Sequence, residues 1–301
     1  MFGNTMTMKT RSWIKRNARP LESARWDYLF ENGSKDQVIQ CLSAFQNSDG
    51  GFGNGLEPDL WLPSSSSIAT WSAGQILLEV QADYNDEIVR LMMDYLLHSY
   101  DKEMGLWKTV VPEYNEYPHA NHWHYKEGVQ ESWRFNPSAE LAAFLVHWAP
   151  EGSEGAELGW KVIERATWHM LHSDKMDFHE IHNFQMLIRI LGDRLTSFNE
   201  MEEKVNDLAA QVIDTSPDSW GKSYKALPLD MIHNKKNKLY DAYKDLVDEN
   251  IRFLERTIMD DGVWDITWSW EEDPQHFYVA KQQWKGILAV NNYKILDQFK
   301  A

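Results

Sequence analysis

The chain has a single cysteine, Cys41, which cannot close an internal disulfide. Long apolar runs are also missing. The best candidate, Ile68 to Val80, is short and interrupted by Gln75 and Glu79, so no membrane-spanning helix is expected. The basic segment from Met1 to Arg19 lacks the apolar core of a signal peptide. These features together predict a soluble, cytoplasmic protein. Positive charge is scarce as well. Thirty Lys and Arg stand against 46 Asp and Glu, for a net charge of −16, with an isoelectric point near 5.1. Phosphate backbones and anionic membranes demand a basic surface, so neither a nucleic-acid nor an anionic-membrane partner is expected. Nucleophile elbow, P-loop and dinucleotide fingerprint are absent too: Gly51-Phe52-Gly53-Asn54-Gly55 has no preceding strand of the kind such motifs need.

Aromatics, by contrast, are plentiful, with 15 Trp, 12 Tyr and 12 Phe. Some must line a cavity or groove, and others clamp turns. The turns are visible as a recurring pattern: an apolar pair, a short spacer, polar turn residues, Gly, any residue, and an aromatic. Its copies are Leu42-x3-Gln46 through Gly50-Gly51-Phe52, Tyr95-Leu96 through Gly105-Leu106-Trp107, and Phe253-Leu254 through Gly262-Val263-Trp264. Fainter copies pair Met170-Leu171 with Phe178 and Leu208 with Trp220. Each copy reads as a helix end, a glycine at a positive-φ reversal, and an aromatic that folds back to pin the next element. Irregular helical hairpins of this size cannot bury their apolar faces alone and must stack.

On these residues the chain resembles the squalene cyclase and protein prenyltransferase superfamily, whose QW repeats read aromatic-Leu-x3-Gln, a short turn, then Gly-x-Trp. The first copy keeps Leu42, Gln46 and Gly50 but has Cys41 and Phe52 at the aromatic positions; the other two keep both aromatics and lose the Gln. The resemblance runs from about residue 36 to the C-terminus. It implies an all-α fold, an α/α toroid of helical-hairpin repeats around an apolar cavity, and says less about reaction because fold does not determine function. The spread of repeats predicts one domain over residues 1–301.

Along the chain, helical spacing predicts helices at 20–31, 38–45, 68–80, 86–98, after Asn136-Pro137, and near 159–172, 180–191, 200–213, 238–259 and 275–299. Ser64 to Ser67 offer capping hydroxyls. The stretch of about 28 residues between Trp107 and Asn136 is too long for an ordinary connection and is read as a functional loop at about 108–135. Residues 217–237 read as a loop with at most a short helix.

Four clusters are candidates for chemistry. In Gly50 to Asp59, four glycines allow close backbone approach, and Glu57 and Asp59 could share a proton and make one a general acid; turn formation and helix capping is the plainer reading. Class II terpene cyclases start from an Asp-x-Asp-Asp motif, which Glu57-Pro58-Asp59-Leu60 echoes remotely and without its last carboxylate. In the long loop, His119, His122 and His124 with Trp123 could hold a metal or a ligand headgroup, although the spacing matches no zinc signature. His179 and His182 share a helix face, where a cap is the default reading. Trp264, Asp265 and Trp268 could stack on a prenyl chain or a sugar ring, or simply pack the repeat. Glu57, Asp59, Asn136, Glu140, His179, His182 and His276 all fall just before or at the start of second-of-pair helices, which in a toroid meet at one mouth. Glu57, Asp59, His179 and Glu140 are thus the expected catalytic centre. His119, His122, His124, Trp123, Asn136, His182, Trp264, Asp265 and Trp268 are the expected ligand contacts.

The leading expectation is a terpene cyclase-like or prenyltransferase-like toroid that binds an apolar or isoprenoid-like small molecule, acid-initiated if catalytic. A carbohydrate-active α/α toroid and a non-catalytic binding scaffold stand beside it. No cofactor is assigned, and the metal requirement stays open.

Overall fold

A computed structural model describes residues 3–270 and 273–299 of the chain. Its secondary structure is all-helical, with isolated bridges but no strand among the described residues. The helices are α1 (Asn4–Asn17), α2 (Pro20–Phe30), α3 (Lys35–Ser43), α4 (Ser67–Glu79), α5 (Glu87–Ser99), α6 (Gln130–Trp133), α7 (Ser138–Trp148), α8 (Glu154–Leu171), α9 (Phe178–Leu191), α10 (Phe198–Val212), α11 (Pro228–Met231), α12 (Tyr240–Thr257) and α13 (Pro274–Gln298). Every helix that spacing predicts is present. Missing from the sequence reading is α1, whose basic residues hide an apolar face: Thr10, Trp13 and Ile14 are all buried. Helix α8 also starts earlier than expected, because the Ser153 side chain caps it by accepting from the Ala156 N–H. No described helix is long and apolar enough to cross a membrane.

The chain divides into two compact units, one of residues 1–41 and 212–301, the other of residues 42–211. In the first, α1, α2 and α13 pack on one another around Trp13, Trp26 and Trp264, and α11 packs on α12. In the second, α7 is the centre. It contacts α4, α5, α8 and α9, and all its residues except His147 are buried. A helix surrounded in this way needs apolar residues on every face, which is why Leu141 to Val146 reads as an unbroken apolar run. Gly159 permits α8 to approach closely, since a Cβ there would meet the Ala142 carbonyl oxygen at 2.9 Å.

The three repeat turns are built alike. Gly50, Gly105 and Gly262 have φ of +88°, +70° and +91°, a region L side chains avoid. At each turn a backbone N–H reaches across the glycine: Asn47 to the Gly51 carbonyl at 2.8 Å, Asp101 to Leu106 at 3.1 Å, and Met259 to Val263 at 2.9 Å. The aromatic that follows is buried, with Phe52 0%, Trp107 1% and Trp264 4% exposed. Both indoles donate to the repeated leucine, Trp107 Nε1 to the Leu96 carbonyl at 2.8 Å and Trp264 Nε1 to the Leu254 carbonyl at 2.9 Å. The amide of Gln46 in the first copy does related work, donating to the Gly50 carbonyl at 2.9 Å and to the Ile88 carbonyl at 3.0 Å. In the fainter copy, Trp220 Nε1 donates to the Asp214 carbonyl at 3.1 Å.

These turns predict a ranking of stabilities. A Cβ on Gly50 would meet the Leu91 carbonyl oxygen at 2.0 Å, whereas on Gly105 it would meet the guanidinium of Arg165, the far end of a flexible side chain. The positive φ alone costs about 1–3 kcal/mol. Both Gly50→Ala and Gly105→Ala should therefore lower the urea midpoint, Gly50→Ala by the larger amount. Trp107→Phe should add a loss of about 1–3 kcal/mol, because the Leu96 carbonyl is left buried without its donor. Equal midpoints for the two glycine variants would show that the turn conformation, and not the Leu91 backbone, sets the cost.

Candidate functional site

The second unit brings most of the sequence candidates into one region, and the long loop does so by closing on itself. At its base the Thr109 N–H donates to Gln130 Oε1 at 2.7 Å, Thr109 Oγ1 donates to the Asn136 carbonyl at 2.5 Å, and Tyr114 OH donates to the Thr109 carbonyl at 3.0 Å. Its middle is tied by Asn115, which donates to the Tyr125 carbonyl at 3.1 Å and accepts from the Tyr125 N–H at 2.8 Å. The loop is thus ordered by its own polar residues, as compact functional loops are. It also pairs with the segment that carries the two carboxylates. The Trp61 N–H donates to the Pro118 carbonyl at 3.0 Å and the Ala120 N–H to the Asp59 carbonyl at 2.8 Å, which sets His119 opposite Leu60. Glu57 and Asp59 are 7% and 2% exposed, and Glu57 Oε1 lies 3.4 Å from the Asp59 N–H.

The loop histidines divide into two environments. His119 Nδ1 lies 2.6 Å from the Tyr117 carbonyl and so carries a proton, which in the neutral ring leaves Nε2 to accept from His124 Nδ1 at 3.1 Å. The two rings stack at 5.3 Å. His122 is solvent-exposed, yet its pKa is pushed down to about 4, first by loss of solvation and then by the neighbouring His179 and His119. Nearby protein withholds solvation from the charged form of the ring although part of its surface stays open to water. His179, at the start of α9, is half-buried, and its pKa is also lowered by loss of solvation, with Asp177 opposing. Loss of solvation thus favours the neutral form of both imidazoles.

Around this pair the structure adds Trp133 and Asn183, which the sequence reading missed. The expected contact Trp123, 7% exposed, stacks on Trp133 at 4.9 Å with the planes 13° apart, and its Nε1 has no partner. Asn183, one helical turn after His179, is 1% exposed. Its Nδ2 donates to Asn136 Oδ1 at 3.2 Å and to the His179 carbonyl at 2.9 Å, and its Oδ1 has no partner. Glu180 accepts from the Phe135 N–H at 3.0 Å and lies 3.2 Å from His169 Nε2, which fastens the end of the loop to α9. The i, i+4 spacing of His179 and Asn183 was the available signal for Asn183. His182, on the same turn, is half-buried.

Glu140 sits apart in its bonding. It is fully buried, with Trp71 Nε1 donating to Oε2 at 2.6 Å and Gln75 Nε2 to Oε1 at 3.2 Å. Burial raises its pKa to about 8 against these two donors. Among the described residues no group of three or more His, Cys, Asp or Glu is arranged to hold a metal ion. In the first unit, Trp264 is spent on the turn described above, Asp265 pairs with Lys281 at 2.8 Å, and Trp268 packs edge-on to Tyr224 and Trp284 with ring centroids at 5.5 and 5.3 Å. His276 Nδ1 lies 2.5 Å from Asp273 Oδ2.

The Glu140 environment sets a pH dependence. Between the ordinary carboxyl pKa of 4.5 and the folded value of about 8, the native state holds a proton that the unfolded chain has released, so stability falls as pH rises through that window. Glu140→Gln keeps an oxygen to accept from Trp71 and Gln75 and cannot ionise. In urea titrations at a series of pH values, the wild type should weaken from pH 4.5 towards 8, and Glu140→Gln should lose that component of the slope.

Compared with protein families, curated proteins and solved structures, the chain matches none.

Proposed function

We propose that the chain is a divergent terpenoid cyclase-like toroid and that it binds an uncharged, isoprenoid-like small molecule against the His122 and His179 pair of the second unit. The observation that carries this reading is the solvent-exposed but poorly solvated His122 ring beside a second neutral imidazole, with the stacked Trp123 and Trp133 adjoining it. Aromatic faces suit a polyene or an allylic cation. Neutral imidazoles suit hydrogen bonding or proton acceptance and give no purchase to a diphosphate. The repeat turns support the toroid, since Phe52, Trp107 and Trp264 occupy equivalent buried turns.

In this reading Glu57 and Asp59, on the segment that bridges to His119, are the proton source if the site is catalytic, while Glu140 acts through the packing of α4 and α7. Asn136 and Asn183 hold the start of α9 in place. A carbohydrate ligand is the second reading, favoured by the stacked tryptophans within a loop that is paired with a two-carboxylate segment. A scaffold without chemistry would bind without turnover.

The test is equilibrium binding of farnesol and of malto-oligosaccharides, read by native mass spectrometry and thermal shift. Farnesol should be retained and should raise the melting temperature. His122→Ala, an exposed position, should weaken that retention about tenfold, the scale of one lost hydrogen bond to a ligand. Retention of the oligosaccharides and not of farnesol would replace the isoprenoid reading with the carbohydrate one.

A further inference from the structure

A concavity of the second unit is lined by residues outside the His122 and His179 site. It has a volume of about 340 Å³ and lies between the start of α4, the end of α5 and the first part of the long loop, with Ser65, Ser67, Tyr95, Ser99, Lys108 and Tyr114 among its walls. The volume falls at the lower end of the roughly 300–1,000 Å³ typical of small-molecule pockets. Most of these side chains end in hydroxyls. Ser67 Oγ donates to the Lys108 carbonyl at 2.6 Å and Ser99 Oγ to the Tyr95 carbonyl at 2.8 Å, so both retain lone pairs. Lys108 Nζ lies 2.8 Å from Asp101 Oδ2, and an ammonium has further protons to offer.

Charge decides what such a pocket takes. Lys108 is neutralised by Asp101, and Asp49 accepts from Ser65 Oγ at 2.6 Å, placing another carboxylate behind the wall. The cation at the pocket is therefore outnumbered, and an anion would meet repulsion instead of a counter-charge. Burial pushes Tyr95 up to about 12, so its hydroxyl stays protonated. Tyr100, packed edge to face at 5.3 Å on the buried Trp107, supplies an aromatic wall. We propose that this pocket binds a neutral polyhydroxylated molecule of monosaccharide size, its hydroxyls exchanging hydrogen bonds with Ser67, Ser99 and Lys108 and its C–H face lying on Tyr95 and Tyr100. Hydroxyls that both donate and accept complement a ligand whose groups do the same, and the rings cover its apolar face. This site does not depend on the ligand assigned to His122 and His179.

The experiment titrates the full chain with D-glucose and myo-inositol, and separately with inorganic phosphate and glucose 6-phosphate, by calorimetry and saturation-transfer NMR. At least one neutral probe should saturate in the millimolar range, with transfer to its C–H protons. Lys108→Gln at an exposed position and Ser99→Ala at a half-buried one should each weaken it about tenfold. The proposal is overturned if neither neutral probe saturates below about 50 mM, if phosphate displaces the bound probe, or if both variants bind as the wild type does. Should a variant melt early, displacement on the wild-type chain decides: competition between glucose and inositol without competition from phosphate supports the site, and displacement by phosphate rejects it.

Discussion

The recurring constraint in this chain is the tie between a turn aromatic and the end of the helix before it. A helix leaves its last carbonyls without intrahelical partners. Here the chain reverses at a positive-φ glycine and returns an indole N–H to one of those regions, Trp107 to Leu96 and Trp264 to Leu254. The bond fixes the exit angle of the helix, and the buried ring fixes the entry of the next segment. The Phe52 ring has no N–H to give, and in that copy Gln46 supplies the polar bridge, reaching both its own turn and the Ile88 carbonyl. Two chemical solutions meet one geometric need.

What lies downstream of these turns is placed by them. The segment with Glu57 and Asp59 follows the Phe52 turn, and the long loop follows the Trp107 turn; two backbone hydrogen bonds then join the segment to the loop. The histidines gain their character from this juxtaposition and not from their spacing. His122 is neutral because protein crowds it and two other imidazoles are near. An isolated histidine of the same sequence context would titrate near its ordinary value. Glu140 illustrates the opposite outcome. The same phase within the repeat delivers it into the packed interface of α4 and α7, where Trp71 and Gln75 occupy its oxygens.

Much of the helical architecture was legible because it is periodic. Apolar spacing marks a helix wherever one face is buried, as in α5 and α8 with Leu96 and Met170 inward. Helix α1 escaped notice because Lys9, Arg11, Lys15 and Arg16 dominate its composition, while its inward face is only Thr10, Trp13 and Ile14. The loop between Trp107 and Asn136 was legible as an exception to the pattern, but its internal ties were not. Thr109 bonding to Gln130 and Asn136 joins residues far apart in sequence, and no local period announces such a pair.

By itself the sequence determined the helices, the positive-φ turns and the burial of the turn aromatics, because each depends on residues within one or two turns of chain. Glycine at a reversal and an aromatic two positions later carry their own stereochemistry wherever they occur. Only the tertiary structure decided which candidates belong together. It linked His122 with His179, tied Asn183 to Asn136, and stacked Trp123 on Trp133. It also took Trp264 for packing and buried Glu140 on α4. Solvation and proximity are properties of the surroundings, and a side chain's surroundings are supplied by segments that its own neighbours in sequence do not name.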